Sequence, residues 1–199
     1  MRSTKTKMSK DFNIIIAGTG GQGLITLEKI LAEAGFLEGK EIKTSELHGL
    51  SQRGGSVVVH LKMGANIYSP LVSRGKANLI LVLEKGETFS SAYFASKSNG
   101  TIFLINDYII PSPSLLNVGL KNEKIKKFIK GFSKEIVFIP ASKIAKEKFG
   151  NELVSGMVLI SFAAFKNLLP IKPNSILKAI KKVIPKKYLD INLKALNYH

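Results

Sequence analysis

The sequence predicts an α/β fold: a Rossmann-like, mostly parallel sheet with a β-hairpin insertion and a helical C-terminal region. Three observations support this prediction. A short apolar run ending in glycine precedes a helical pattern and a second strand, further isolated apolar runs follow, and the end of the chain reads as helices separated by prolines. Buried strands that alternate with helices are typical of a parallel sheet packed between helical layers.

The chain opens with a βαβ pattern. Residues 12–18 (FNIIIAG) form an apolar run that predicts a buried strand. Residues 24–39 carry apolar side chains at helical spacing and end at a glycine, and residues 41–46 read as a second strand. A strand, a crossover helix and a second strand predict a parallel pair.

A hairpin is expected to interrupt this order. Residues 56–64 (SVVVHLKMG) predict a strand, and residues 65–72 its return, with the turn at residues 64–66. Further strands are expected at 77–84, 101–106 and 135–140, helices at 86–98, 141–149, 153–168, 173–184 and 187–197, and a proline-rich loop at 111–114. Residues 1–11 are interpreted as a flexible basic tail and residues 12–199 as a single domain.

Composition excludes several kinds of site. Of the 199 residues, 45% are hydrophobic, which favours a packed core over disorder, and none is cysteine. Disulfides, a cysteine nucleophile and cysteine-ligated iron–sulfur clusters are therefore excluded from this chain. No apolar run approaches the roughly 18–20 residues that a transmembrane helix needs. We expect a cytoplasmic protein.

The charge is strongly positive and uneven. The net charge is +16, and residues 121–199 contribute 17 Lys against 5 Asp and Glu, or +12 of it. Such a surface can bind nucleic acid. However, the chain has only three arginines, which are the usual clamps for bases and phosphates. A solvated lysine face, an acidic protein partner or an anionic cofactor explains the charge as well.

The first glycine-rich run, GTGGQG at 18–23, matches the pattern G-x-G-x-x-G between a strand and a helix. Backbone N–H groups at such a turn can hold a phosphate, and Glu46 at the end of the second strand could bind the ribose of a dinucleotide. A stand-alone NAD or FAD oxidoreductase is thus one hypothesis, and a purely structural turn is another. The candidate residues of this loop are Gly18, Gly20, Gly21, Gln22 and Gly23.

The second run, ELHGLSQRGGS, follows the second predicted strand. Arg53, before two glycines, offers a guanidinium beside backbone donors, an arrangement suited to an anion. His48 can equally be a hydrogen-bonded structural histidine. The candidate residues of this loop are Glu46, His48, Ser51, Gln52, Arg53, Gly54 and Gly55. We predict no catalytic and no metal-binding residue in this chain, because no Ser–His–Asp set or metal spacing can be assembled.

Four segments carry a family resemblance: GTGGQGLITLEKILAEA, SELHGLSQRGGSVVVHLKMG, YSPLVSRGKANLILVLE and the terminal NLKALNYH. They resemble the gamma-type subunit, or catalytic domain, of 2-oxoacid:ferredoxin oxidoreductases, and within it the small (beta) subunit of the indolepyruvate enzymes. The resemblance runs from about residue 12 to the end of the chain. Its most specific element is the pair of motifs at 18–23 and 45–55.

The resemblance implies a division of labour. In these enzymes a 2-oxoacid is oxidatively decarboxylated to an acyl-coenzyme A, and ferredoxin accepts the electrons. Thiamine diphosphate and the iron–sulfur clusters are held by a large partner subunit, and coenzyme A is expected at the interface. This chain would be inactive alone, and Arg53 with Gly54 and Gly55 would face the partner's active site or the coenzyme A channel. Indolepyruvate or another aryl pyruvate is the implied substrate.

Overall fold

The computed structural model describes residues 11–49, 55–110 and 120–198. Its elements in chain order are β1 (Phe12–Thr19), α1 (Leu24–Leu37), β2 (Glu41–His48), β3 (Ser56–Gly64), β4 (Leu79–Val82), α2 (Thr88–Ser91), β5 (Ile102–Asn106), α3 (Asn122–Ile129), β6 (Glu135–Ile139), α4 (Ala141–Phe149), α5 (Ser155–Phe165), α6 (Pro173–Val183) and α7 (Lys186–Leu196). The predicted loop at 111–114 and all but the last residue of the predicted tail lie outside the described ranges.

The six strands form one sheet in the order β2-β3-β1-β4-β5-β6. β1, β4, β5 and β6 pair in parallel, whereas β3 is antiparallel to both of its neighbours, β1 and β2. Only β3 therefore runs against the other strands. The predicted Rossmann-like, mostly parallel α/β sheet is confirmed.

The position of the hairpin differs from the prediction. β2 was expected beside β1, but it pairs with β3 in a hairpin whose register runs from Glu41 opposite Gly64 to His48 opposite Val57. β3 then occupies the place next to β1. The physical reason is burial: most of β3 is buried, which suits an interior strand, whereas β2 is mostly half-exposed and suits an edge.

Residues 65–72 are not a strand, contrary to the prediction. This segment is an irregular connection after β3, and two side-chain acceptors hold it. The Ile67 amide donates to the Glu41 carboxylate over 3.1 Å, and the Val72 amide donates to His60 Nδ1 over 3.0 Å. Ile67 and Val72 are buried, so the burial of single side chains, and not strand pairing, explains the apolar residues of this segment.

Two helical predictions also change. The single helix expected at 86–98 is a series of short turns: a 3₁₀ turn at Lys85–Glu87, the four-residue α2, and a 3₁₀ turn at Ala92–Phe94. Helix α3 was not predicted, because its lysines obscure the apolar pair Ile125 and Ile129. That i, i+4 spacing was the available signal, since both side chains are fully buried.

The core occupies both faces of the sheet. Ile14 and Ile16 of β1 contribute to a large cluster with α1, α4, α5, α6 and α7. Ile15 and Ala17 point the other way, into a smaller cluster that includes the buried face of α3. Because both faces of the central strands are covered, the ligand-accessible parts of the sheet are its edges and the loops at the strand ends.

Candidate functional site

The carboxyl ends of β1, β4, β5 and β6 lie at one edge of the sheet, since these strands are parallel. The glycine-rich loop follows β1 at this edge. β2 ends and antiparallel β3 begins at the same edge, so His48 and Ser56 also lie there. Ligands of open α/β sheets bind at this edge.

Close packing and unusual backbone angles define the first loop. A Cβ on Gly18 would lie 2.7 Å from the Gln22 side-chain oxygen and 3.1 Å from Leu83 Cβ. That oxygen accepts a hydrogen bond from the Thr19 amide, and the Gln22 amide nitrogen reaches the Leu83 carbonyl at 3.4 Å. Gln22 therefore ties the loop to the end of β4.

Gly21 and Gly23 hold positive φ angles of 97° and 79°, and a Cβ on either would meet no atom within 4 Å. Their backbones are thus open on one side. Gly23 precedes α1, whose first turn contains no acidic residue and whose start has no side-chain cap. The first N–H groups of a helix have no intrahelical partner, so this end can receive an anion.

The structure brings the two glycine-bearing loops together. The Gly20 amide donates to the Gly55 carbonyl over 3.0 Å, and the Gly49 amide donates to the Ser56 carbonyl over 2.8 Å. A cavity of about 670 Å³ opens between the loops, which we call the two-loop cavity. It is lined by Gly20, Gly21, Gly23, Leu24, Ile25, His48, Gly49, Gly55 and Val57. Ser51, Gln52, Arg53 and Gly54 lie outside the described residues.

Glu46 does not occupy the position of a ribose-binding acid. β3 separates its strand from β1, so Glu46 lies one strand spacing, about 4.8 Å, to the side of where a directly paired second strand would place it. Its carboxylate lies 3.2 Å from His48 Nε2. It also approaches Glu28 of α1. Burial first, and then a hydrogen bond with Glu46 and its charge, raise the pKa of Glu28, although a hydrogen bond with Thr44 lowers it.

A polar cluster at the end of β4 was missed by sequence reasoning. The Ser56 hydroxyl donates to Glu87 Oε2 over 2.6 Å, and the Ser90 hydroxyl donates to the same oxygen over 3.0 Å. Glu84 is buried, and burial raises its pKa although the Gly86 amide lowers it. The available signal was the acidic Glu84 at the end of the buried strand predicted at 77–84.

Asn106, at the end of β5, joins three elements. Its amide nitrogen donates to the Leu83 carbonyl over 2.9 Å and to the Ser142 hydroxyl over 2.8 Å, while its oxygen accepts from the Ser142 amide over 3.0 Å. Leu83 is also the carbonyl that Gln22 contacts. The glycine-rich loop is therefore held to β4, β5 and α4 through one shared backbone oxygen.

The histidines do not form a metal site in the described ranges, where no group of three potential metal ligands occurs. His60 is buried, accepts from the Val72 amide through Nδ1 and stacks edge-on against Phe94 with ring centroids 4.9 Å apart. Burial lowers its pKa, so it is a neutral structural histidine. His199 lies outside the described residues.

Replacing Gly23 by valine is expected to lower the free energy of unfolding by about 1–3 kcal/mol, because a β-branched residue must adopt a left-handed backbone. Gly131→Val is the matched control: a Cβ there also meets nothing within 4 Å, and its φ is not positive. Urea unfolding of both variants measures the difference. Equal stability of the two variants would contradict the assignment of backbone strain to Gly23. The same argument does not apply to Gly20, because the φ angle of Gly20 is not positive.

Comparison with known proteins agrees with this architecture. The family model for pyruvate ferredoxin/flavodoxin oxidoreductase matches residues 13–198. The chain is 33% identical, over 92% of its length and 91% of the relative's, to the indolepyruvate oxidoreductase subunit IorB of Archaeoglobus fulgidus. No helix within the described ranges is long and apolar enough to cross a membrane.

Solved structures share the fold. The pyruvate oxidoreductase subunit PORC of Thermotoga maritima superimposes with a TM-score of 0.69 at 20% identity, over 95% of this chain and 96% of that one. A 2-oxoglutarate:ferredoxin oxidoreductase of Magnetococcus marinus, solved with 2-oxoglutarate, coenzyme A and succinyl-coenzyme A, gives a TM-score of 0.67 at 18% identity, over 94% of this chain but only 30% of that one. From the family match and the IorB relative, the chain belongs to the pyruvate ferredoxin/flavodoxin oxidoreductase family and is an oxidoreductase subunit of that family.

Proposed function

We propose that this chain is the small subunit of an indolepyruvate-type 2-oxoacid:ferredoxin oxidoreductase and that it completes the active site of a large subunit. The observation that carries the proposal is the two-loop cavity. It lies at the carboxyl edge of the sheet, is lined by glycines of two loops, and contains no nucleophile–base pair among the lining residues that the structure describes. Such a surface suits binding and positioning, with the reacting groups supplied from across an interface.

The large subunit is proposed to hold thiamine diphosphate and the iron–sulfur clusters. Thiamine diphosphate supplies the chemistry that cleaves the bond between the oxo carbon and the carboxylate. The present chain contains no cysteine to ligate a cluster. This chain contributes by positioning. Gln22 and Asn106 hold the glycine-rich loop through hydrogen bonds, so the open backbone of the loop has a fixed position.

Coenzyme A is proposed to bind at the interface, with a phosphate near the start of α1. The residues fit an anion: the first turn of α1 lacks acidic side chains, and Gly21 and Gly23 leave the backbone uncovered. Gly21 and Gly23 also line a second cavity of about 400 Å³ that continues past Thr26 to Tyr188 of α7. An elongated ligand could therefore extend from the loop in either direction.

The role of Arg53 and its neighbours is part of this proposal. Ser51, Gln52, Arg53 and Gly54 follow Gly49 and precede Gly55 in the sequence, and both of these glycines line the two-loop cavity. We assign Arg53 to a charge-assisted contact with coenzyme A or with the large subunit. We infer the aryl pyruvate substrate from the IorB relatives. We also propose that the complex is cytoplasmic.

A stand-alone NAD or FAD oxidoreductase is disfavoured, because β3 displaces Glu46 from the ribose position. Isothermal titration of the purified chain with NAD and with FAD is therefore expected to give no binding heat. Gel filtration after co-expression with the large subunit is expected to give a single complex. Saturable binding of either dinucleotide, together with failure to associate, would replace this proposal by the dinucleotide hypothesis.

A further inference from the structure

A groove of about 630 Å³, the aromatic groove, lies away from the two-loop cavity. Its walls include Arg74 and Lys76, which precede β4, and Ser96 and Ser98, which precede β5. The amino ends of β4 and β5 lie at the edge opposite the carboxyl end of β1, since these strands are parallel. The aromatic groove and the glycine-rich loop therefore belong to opposite edges of the sheet.

Four exposed aromatic rings line this groove. The exposed fractions are 36% for Phe89, 57% for Tyr93, 45% for Phe128 and 44% for Phe132. The centroids of Phe89 and Phe128 are 5.0 Å apart, and those of Phe128 and Phe132 are 6.2 Å apart. Exposed rings in mutual contact form a contiguous apolar patch, and such patches mark binding surfaces.

Cationic side chains surround the patch. Residues 121–134 (KNEKIKKFIKGFSK) contain six lysines and a single glutamate. Lys124 lies four residues before Phe128 on α3, so the lysine shares the side of the helix that carries this ring. Across the groove, the Arg74 guanidinium lies 5.6 Å from the centroid of the Tyr93 ring. The surface thus combines apolar anchors with a positive rim.

This combination selects an acidic protein as the occupant. A second copy of a chain with net charge +16 would be repelled. Single-stranded nucleic acid requires ring faces on which bases stack. Here the rings of Phe89 and Phe128 meet at 58°, and those of Phe128 and Phe132 at 61°, so they cover part of each other's faces. An acidic surface with one apolar residue fits the groove better.

We propose that the aromatic groove docks the acidic electron-carrier protein that accepts electrons from the complex. This inference rests on the proposed function. Permanent subunit interfaces are large and mostly apolar, whereas weak electron-transfer contacts are small, and charge steers their encounter. A small apolar patch with cationic side chains on its walls, such as Arg74 and Lys76, has the second character. The groove therefore serves the exchangeable partner, and the two-loop cavity serves the permanent one.

The test compares two double charge reversals on exposed helix positions in the reconstituted complex. Lys124→Glu/Lys127→Glu changes α3 beside the groove, and Lys178→Glu/Lys181→Glu makes the same change, at the same spacing, on α6 across the sheet. Turnover is measured with an acidic bacterial ferredoxin and, separately, with methyl viologen, a small dye that needs no docking surface. Phe128→Ser probes the apolar anchor.

We expect the α3 pair to raise the KM for ferredoxin roughly tenfold or more and to weaken its dependence on salt. Viologen turnover and gel-filtration assembly should stay at wild-type values. Phe128→Ser should raise the same KM, and the α6 pair should not. An unchanged ferredoxin KM in the α3 pair would overturn the proposal. A loss of assembly would also overturn the proposal, because the large subunit would then be the occupant of the groove. Binding of single-stranded DNA that the α3 pair abolishes would overturn it as well.

A failure of the proposed function has a different signature. In that case the wild-type complex shows no indolepyruvate-dependent reduction of viologen. Fluorescence titration of the full chain with the same ferredoxin then tests the groove directly. Binding that the α3 pair weakens and the α6 pair leaves unchanged would support the docking surface, and no binding at low salt would overturn it.

Discussion

Replacing Asn106 by alanine is expected to lower the free energy of unfolding by about 2–5 kcal/mol. The side chain is 1% exposed and makes three hydrogen bonds to Leu83 and Ser142. Its loss leaves buried backbone groups of both neighbours without this partner, and each unsatisfied group costs about 1–3 kcal/mol. At this chain length each kcal/mol lowers the melting temperature by roughly 2–4 °C.

Asn192→Ala is the matched control. Its amide nitrogen donates to the Tyr188 carbonyl over 2.8 Å, but this bond is exposed and lies within one helix. We expect a change of no more than about 0.5 kcal/mol. Chemical denaturation with both variants gives the comparison. A loss below about 1 kcal/mol for Asn106→Ala would mean that the shared contact at Leu83 does not hold the glycine-rich loop.

Arg53→Ala is expected to leave stability within about 0.5 kcal/mol of the wild type while reducing function. If the guanidinium meets a phosphate of coenzyme A or a group of the large subunit, its loss removes a charge-assisted hydrogen bond worth about 1.5–3 kcal/mol. That corresponds to a roughly ten- to hundredfold higher requirement for coenzyme A, or to weaker assembly. Lysine should restore only part of the function, because it lacks the bidentate fork.

Arg74→Ala is the control for this measurement, since Arg74 lies in the aromatic groove at the amino edge of the sheet. With viologen as acceptor, its coenzyme A dependence should match the wild type. Kinetics at varied coenzyme A and gel filtration of the same samples complete the experiment. Wild-type values for Arg53→Ala in both assays would make the second loop an ordinary connection.

The strands of the sheet could be read from the sequence, whereas the place of the hairpin could not. Apolar runs such as residues 12–18 identify buried strands whatever their neighbours are. Strand order depends on which strand covers β1, and a local βαβ pattern carries no information about a later insertion. β3 took that place because it is buried along most of its length. The helix α3 was hidden in a lysine-rich run, in which the isoleucine pair that the helix buries was a weak periodic signal.

The glycine motifs predicted where the candidate site lies, but the contacts of these glycines required the structure. The pattern at 18–23 indicated a turn at the end of β1, and the structure adds that Gly20 contacts Gly55 of the second loop. The hydrogen bond from the Gln22 side chain to the Leu83 carbonyl, at the end of β4, likewise cannot be seen in the sequence. Glu84, Glu87 and Ser56 come from separate segments, so only the folded chain brings them together.

The most direct test of the central claim is one assay made on three samples: the purified chain, the large subunit alone and their mixture. Indolepyruvate- and coenzyme A-dependent reduction of methyl viologen is measured in each. Because this chain has no cysteine to ligate a cluster, and the described lining of its two-loop cavity holds no nucleophile–base pair, we expect turnover only in the mixture. Turnover by the pure chain, or full activity of the large subunit without it, would contradict the account.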